Sequence, residues 1–121
     1  MYKLLILIPE LDSASRFEER WPQFLAQAER MPGLLRETTS RVDKVLHGDH
    51  SVQLVHEMYF DSLKMAAEAL GSPEGELAGN ILHEITGGKV GLYLADHTED
   101  NLSNIRRHDQ TRTEAPPGDH T

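Results

Sequence analysis

The sequence predicts a single α+β domain of ferredoxin-like type, in the order βαββαβ, with a four-stranded antiparallel sheet and its helices on one face. Three observations carry that prediction. Segments of strand character lie at Tyr2–Pro9, Leu34–His47, Ser51–Phe60 and Val90–Ala95, and helical spacing intervenes after the first and after the third. Turn and stop signals separate them: MPG at Met31–Gly33, GDH at Gly48–His50 and TGG at Thr86–Gly88. The length, 121 residues, suits one domain and leaves little room for a second.

YKLLILIP, Tyr2–Pro9, is a continuous apolar run closed by proline, which suits a central strand covered on both faces. Asp12, Ser13 and Ser15 are helix N-cap candidates. Phe17, Trp21, Phe24, Ala28 and Met31 then recur every three or four residues and form one helix face, with Glu18, Glu19, Arg20, Gln23, Gln27 and Arg30 left for solvent. Pro22 has no N–H to donate, so the helix is expected either to begin near Glu19 or to kink near Pro22. Leu34–His47 reads as a long strand whose middle is polar on both faces, an edge strand or one lining a wet space.

In Ser51–Phe60, alternation puts Leu54, His56, Met58 and Phe60 on one face and Val55, Glu57 and Tyr59 on the other. FDSLKMAAEALGSPEG, Phe60–Gly75, carries two sets of helix signals. Asp61 or Ser62 caps a helix that Gly71 ends, Ser72 caps another, Pro73 takes its first position and Glu74 favours its positive start. That second helix is expected to be short, through Leu77 and Ala78, with Asn80–Gly88 as a linker to the last strand. Residues 1–96 form the domain, and residues 97–121 a polar C-terminal tail, mobile or docked on a partner subunit.

Composition narrows the function. The net charge is −8, from 12 basic and 20 acidic residues, which argues against a nucleic-acid partner. No apolar run approaches the length of a membrane span, and the first strand is too short and too soon acidic for a secretory signal. Cysteine is absent, which fits a cytoplasmic protein and removes thiolate chemistry. Both faces of the sheet carry apolar residues, so a homodimer with two sheets packed face to face is expected.

The chain resembles the EthD family of dimeric α+β barrels from Lys3 to about Ala95. The resemblance rests on KLLILIP, on Phe17 and Trp21 with MPGL, on LVHEMYFDSLKMAAEALGSPEG at Leu54–Gly75, and on TGG before the last strand. It implies a small molecule, apolar or aromatic, held between sheet and helices. Related barrels include isomerases, cyclases and cofactor-free oxygenases; some bind haem and many have no known activity. Members often carry a histidine on the first helix shortly after the tryptophan. Here that region is PQFLAQ, Pro22–Gln27, without one, so chemistry resting on that side chain, haem ligation included, is not expected and no cofactor is assigned.

Three residues on the third strand are the candidate catalytic groups. Glu57, flanked by Val55 and Tyr59, would have a raised pKa in an apolar cavity and serve as general acid or base. The alternative is a structural ion pair with Arg36, Arg41 or Lys89. His56 faces the other way and suits a satisfied core histidine, unless a bulge turns it into the cavity. Tyr59 can donate a hydrogen bond to a carbonyl or phenol, or pack as an aromatic with a polar tip. His47, Asp49 and His50 around a turn do not make a metal site, and HEIT at His83–Thr86 is not the HExxH of a zinc helix. Two functions remain open: a homodimeric barrel binding a small hydrophobic molecule with proton-transfer or oxidative chemistry, and a non-catalytic ligand-binding or accessory protein. A closed, partly apolar cavity containing Glu57 or His56 favours the first, and a barrel filled by side chains the second.

Overall fold

In a computed structural model, which describes residues 1–102, the elements run β1 (Tyr2–Pro9), α1 (Ala14–Ala28), β2 (Arg36–Arg41), β3 (Val52–Phe60), α2 (Leu63–Gly71), α3 (Pro73–Thr86) and β4 (Gly91–Asp96). The strands form one antiparallel sheet in the order β2-β3-β1-β4. This is the predicted ferredoxin-like arrangement, with the second helical segment in two pieces.

β1 lies inside the sheet because its apolar run fits a strand paired on both sides. Leu4, Ile6 and Ile8 are buried towards the helices, while Leu5 and Leu7 are half-buried on the opposite face. β3 repeats the pattern with Leu54, His56, Met58 and Phe60 inward. Its register against β1 places Leu5 opposite Glu57 and Ile6 opposite His56.

α1 buries Phe17, Trp21, Phe24 and Ala28, with Trp21 against Phe17 at 5.2 Å and stacked on Phe24 at 4.9 Å. The helix runs from Ala14 to Ala28 with Pro22 inside it, so the expected start near Glu19 is not found. A proline inside a helix costs about 3 kcal/mol. Each large apolar side chain buried on the other face contributes roughly 1.5–3 kcal/mol, and several together outweigh that cost.

β2 is shorter than the predicted Leu34–His47. It pairs with β3 from Arg36–Tyr59 to Arg41–Leu54, after which one further bond, Val42 N–H to Gln53 O at 2.9 Å, is made before the chain leaves the edge. Residues 43 to 51 are exposed and carry no partner strand among the described residues, so nothing offsets the cost of ordering them as a ladder.

Both helix starts signalled in Phe60–Gly75 are found, and Gly71 is the last residue of α2, although it does not take the left-handed conformation expected of a glycine stop. The Ser62 hydroxyl accepts from Met65 N–H at 3.1 Å. The Ser72 hydroxyl donates to the Ala69 carbonyl at 2.6 Å and accepts from Gly75 N–H at 3.0 Å, so one side chain closes α2 and opens α3. α3 runs to Thr86, which overturns the expected linker over Asn80–Thr86. Ala78, Ile81, Leu82 and Ile85 fall on one face and are buried, and that packing extends the helix until Gly87 ends it in the left-handed region at φ 62°. β4 starts one residue later than predicted and ends on Asp96. The antiparallel pairing with β1 continues one step past it, His97 N–H bonding Met1 O at 2.8 Å. The remainder of the tail, residues 103–121, lies outside the described residues.

Gly75 marks the tightest point of this turn: a Cβ there would stand 2.2 Å from the Ala69 carbonyl oxygen and 2.8 Å from that of Leu70. Gly75→Ala is expected to lower stability by about 1–3 kcal/mol, because backbone rather than a flexible side chain must move. Chemical denaturation checks this; a variant as stable as the parent would show that the α2–α3 junction has slack.

Candidate functional site

Alternation along β3 sends its ionisable residues to opposite faces of the sheet, and each gathers its own neighbours. Glu57 points away from the helices. Lys3 on β1 sits one diagonal step away, since Lys3 pairs with Tyr59 and Leu5 with Glu57. The Lys3 ammonium reaches Glu57 Oε1 at 2.6 Å, with both side chains about four-fifths covered (17% and 21% exposed). Thr38 donates to Glu57 Oε2 at 3.2 Å, and the Tyr59 hydroxyl lies 3.5 Å from the same oxygen.

The hydrogen bond from Lys3, ahead of the others, holds the Glu57 carboxyl below the usual carboxylate range. The raised pKa expected from the sequence is therefore not found, because the strand beside Glu57 supplies a cation. Nor is the partner one of those named. Arg36 binds Glu99 at 2.8 Å, Arg41 binds Glu18 at 2.7 Å and Lys89 approaches Asp12 at 3.5 Å. Tyr59 is 4% exposed, its ring covered by the Arg36 guanidinium at 3.7 Å and by the edge of His97 at 5.1 Å. It is a packed aromatic whose hydroxyl touches the Glu57 carboxylate.

His56 points inward, as the alternation requires, and no bulge interrupts β3 beside it: the one register shift of the β1–β3 ladder lies at Ile8 and Pro9. Thr39 stands directly across on β2, its hydroxyl 2.7 Å from Nδ1. Glu37, two residues back on the same face, brings Oε1 to 3.0 Å from Nε2. The approach is out of line for a hydrogen bond, and Nε2 is buried without a partner of that kind. Trp21 and Phe24 of α1 meet the ring edge-on at 5.3 and 6.2 Å.

Burial pushes the His56 imidazole down to about 4, against the pull of nearby Glu29 and Glu57. Burial, reinforced by the neighbouring Glu29 carboxylate, pushes Glu37 up to about 7. Sequence reasoning missed Glu37. Its signal was there, in a strand polar on both faces, but the partner across the ladder depends on a register that pattern alone does not give.

Between sheet and helices lies a cavity of about 60 Å³, lined by Leu4, Phe24, Met31, Met58, Leu70 and Leu82 among others and almost wholly apolar. Leu92 of β4 forms its rim and is half-exposed. Neither Glu57 nor His56 lines it, although Phe24 separates His56 from it by a single ring. His47 and His50 stand exposed in the β2–β3 loop, and His83 and Glu84 lie on α3, where Glu84 pairs with Arg20. Among the described residues no group of three or more His, Asp or Glu side chains is arranged to hold a metal ion, and no helix is long and apolar enough to cross a membrane.

The fold and this small apolar space define a ferredoxin-like α+β domain with its candidate pocket on the helical side. No family model matches the sequence, and no curated protein does. Among solved structures, an EthD family protein from Bacillus halodurans C-125 superposes with a TM-score of 0.75 at 22% identity, over 81% of this chain and 99% of that one. SnoaB, a cofactor-independent oxygenase from Streptomyces nogalater, superposes at 0.60 with 17% identity, over 84% and 95% of the two chains. A dimeric ferredoxin-like protein of unknown function from Bacteroides fragilis gives 0.58 at 15% identity, over 79% and 95%. At these identities the likeness is one of fold, and at that level it bears out the EthD resemblance read from the sequence.

A depressed carboxyl pKa stabilises the fold above the ordinary value of 4.5, and the contribution is lost as pH falls through the lower folded value. Lys3→Met is expected to remove that part of the acid-side loss, so its stability falls less steeply below about pH 4.5 than the parent's. Unfolding curves on the acid side check this; parallel slopes would mean that Glu57 titrates normally.

Proposed function

We propose that the protein is a homodimer that binds a small hydrophobic molecule between its sheet and its helices, acting as a ligand-binding module. The observation that supports this most directly is the apolar cavity beneath Phe24 and Met58, with its rim at Leu92. A cavity of about 150 Å³ in a protein core admits benzene. The space here, about 60 Å³, suits a small branched alkyl group or one edge of a ring. Met31 and Met58 in its walls are flexible and can widen it. The EthD protein that superposes on this chain is named for ethyl tert-butyl ether, whose branched alkyl group has the size and polarity this cavity suits.

Proton-transfer or oxidative chemistry on the bound molecule is a second reading. It is favoured by the acid–base pair His56 and Glu37 one ring away from the cavity, and by the oxygenase among the structural neighbours. Binding is placed first because no ionisable side chain lines the cavity itself. Glu57 and Tyr59 serve the outer face in this proposal, and the reading requires no cofactor. The absence of cysteine is in keeping with the cytoplasm.

The dimer follows from that outer face. Leu5, Leu7 and Val55 are only half-buried there, Tyr93 is 56% exposed, and the nearby charges Lys3 and Glu57 are already paired. A second copy packed sheet to sheet covers this surface with like chemistry.

Two measurements test the proposal. Ala78→Val places two methyl groups at the cavity wall; it is expected to leave the fold intact and abolish retention of small apolar ligands, followed by native mass spectrometry against the parent protein. Equal retention by both would remove the cavity from the proposal. Sedimentation of the parent protein is expected to give a dimer, with Leu5→Glu shifting it to monomer; a well-folded parent monomer would defeat the sheet-to-sheet assembly.

A further inference from the structure

Among the described residues, two apolar features stand without cover at opposite edges of the sheet. The first is the connection from β2 to β3. It leaves the ladder after Val42, whose N–H bonds Gln53 O, and rejoins it at Val52. Every residue from 43 to 51 is exposed, and a Cβ built on Gly48 would meet nothing within 4 Å. This arm stands clear of the rest of the described chain, yet it carries Val45 and Leu46, the latter 88% exposed.

The second feature is β4. Leu92 and Leu94 pair with Ile6 and Leu4 and so face the helical side. Ile6 is 1% exposed there, whereas Leu92 is 54% exposed and Leu94 is bare to a similar extent. The helical layer stops short of this edge, and the cavity opens at Leu92. Single exposed leucines are ordinary on a protein surface. Here one set lies on a free arm and the other bounds a cavity, and the sheet relates them.

The order β2-β3-β1-β4 sets arm and cavity mouth three strand spacings apart, roughly 14 Å, so one chain does not bring them together. In a sheet-to-sheet pair, a two-fold axis parallel to the strands lays β2 of each copy over β4 of the other and keeps heights along the strands unchanged. The arm departs near Pro9, and Leu92 pairs with Ile6, about 10 Å further along β1. Leu46 lies four residues past Val42, a reach of up to ~13 Å, enough to span the ~10 Å between packed sheets. An axis across the strands would set β2 over β2 and carry each arm to the wrong end.

The outer face favours the first axis. At one end Tyr59 is buried beneath Arg36 and His97, and Glu99 contacts both, at 2.8 and 2.7 Å. The uncovered apolar residues, Leu5, Leu7, Val55 and Tyr93, lie towards the end where the arm leaves. A parallel axis sets this open ground against its equal, whereas a crossed axis sets it against the end already closed.

We propose that in the homodimer the β2–β3 arm of each protomer wraps the β4 edge of its partner and lays Val45 and Leu46 on the partner's Leu92 and the partner's Leu94, closing the mouth of that cavity. The proposal rests on the homodimer put forward above and adds that each ligand site is incomplete without a second copy. The contact is reciprocal, as a two-fold requires, and it covers the arm and the cavity rim with like chemistry.

The chain has no cysteine, so an engineered pair reports the contact alone. Leu46→Cys combined with Leu92→Cys, both at exposed positions, is expected to give a covalent dimer on mild oxidation, with residue 46 of one chain joined to residue 92 of the other after digestion. Each single-cysteine variant is expected to stay unlinked under the same conditions. A parent that sediments as a dimer while the pair stays unlinked, or links within one chain, overturns the arm and leaves the homodimer standing; a monomeric parent overturns both. Leu46→Ser removes a side chain that the protomer does not bury. It is expected to leave the far-ultraviolet dichroism unchanged and to raise the dimer dissociation constant by about tenfold or more. An unchanged constant overturns the contact. Xenon enters apolar cavities of this kind. Its exchange with water, followed by its own magnetic resonance, is expected to slow several-fold when the link forms, and equal rates in the linked and reduced dimers overturn the closure of the mouth.

Discussion

The alternation of β3, held in register by β1 on one side and β2 on the other, is the constraint on which the rest depends. Residues from Val52 to Phe60 must send successive side chains to opposite faces, and the ladder with β1 leaves no freedom to slip by one. Leu54, Met58 and Phe60 then complete the core beneath the helices. The same geometry carries His56 into that core and delivers Glu57 to the other face, beside Lys3. Two adjacent residues that look alike as candidate acid–base groups end in environments that move their proton affinities in the same direction for different reasons: burial for the imidazole, a cation for the carboxyl.

The helical layer follows from the need to cover the inner face. α1 does so with a stacked aromatic row, and the row tolerates Pro22 because the proline faces solvent. α2 and α3 share a serine as their common cap, which lets the chain turn over the sheet without a loop. The cavity left under this layer is what small residues leave when Ala28, Gly75 and Ala78 stand opposite large ones. Close approach of α2 and α3 at Gly75 and the presence of an unfilled space beside it are two results of the same small-residue choice.

Much of the fold was legible because its signals are local. Tyr2–Pro9 reads as a central strand from its apolar run alone, and Ser62, Gly71, Ser72 and Pro73 announce the helix junction by chemistry that acts within four residues. Where the reading failed, the decisive contact was distant. Asn80–Thr86 looked like a linker because its helical face is modest until Ile81, Leu82 and Ile85 meet the core. β2 looked longer because the length of its partner, not its own composition, decides where pairing stops. In the candidate site, the facing of Glu57, His56 and Tyr59 was readable from the period of two. The low proton affinity of Glu57 was not, since Lys3 lies 54 residues away in sequence and arrives through the β1–β3 ladder.

What the sequence by itself determined is the order of elements, the serine caps of the second and third helices, the two-faced character of β3 and the acidic, cysteine-free composition. Each is set by nearest neighbours or by totals. The tertiary structure alone decided which charge sits beside which carboxyl, that Glu37 is the neighbour of His56, and that the apolar space under the helices contains no ionisable group. Those facts depend on strand register and on packing between residues far apart in the chain. Coulomb and desolvation effects act over a few ångströms of space, and sequence separation does not measure that distance.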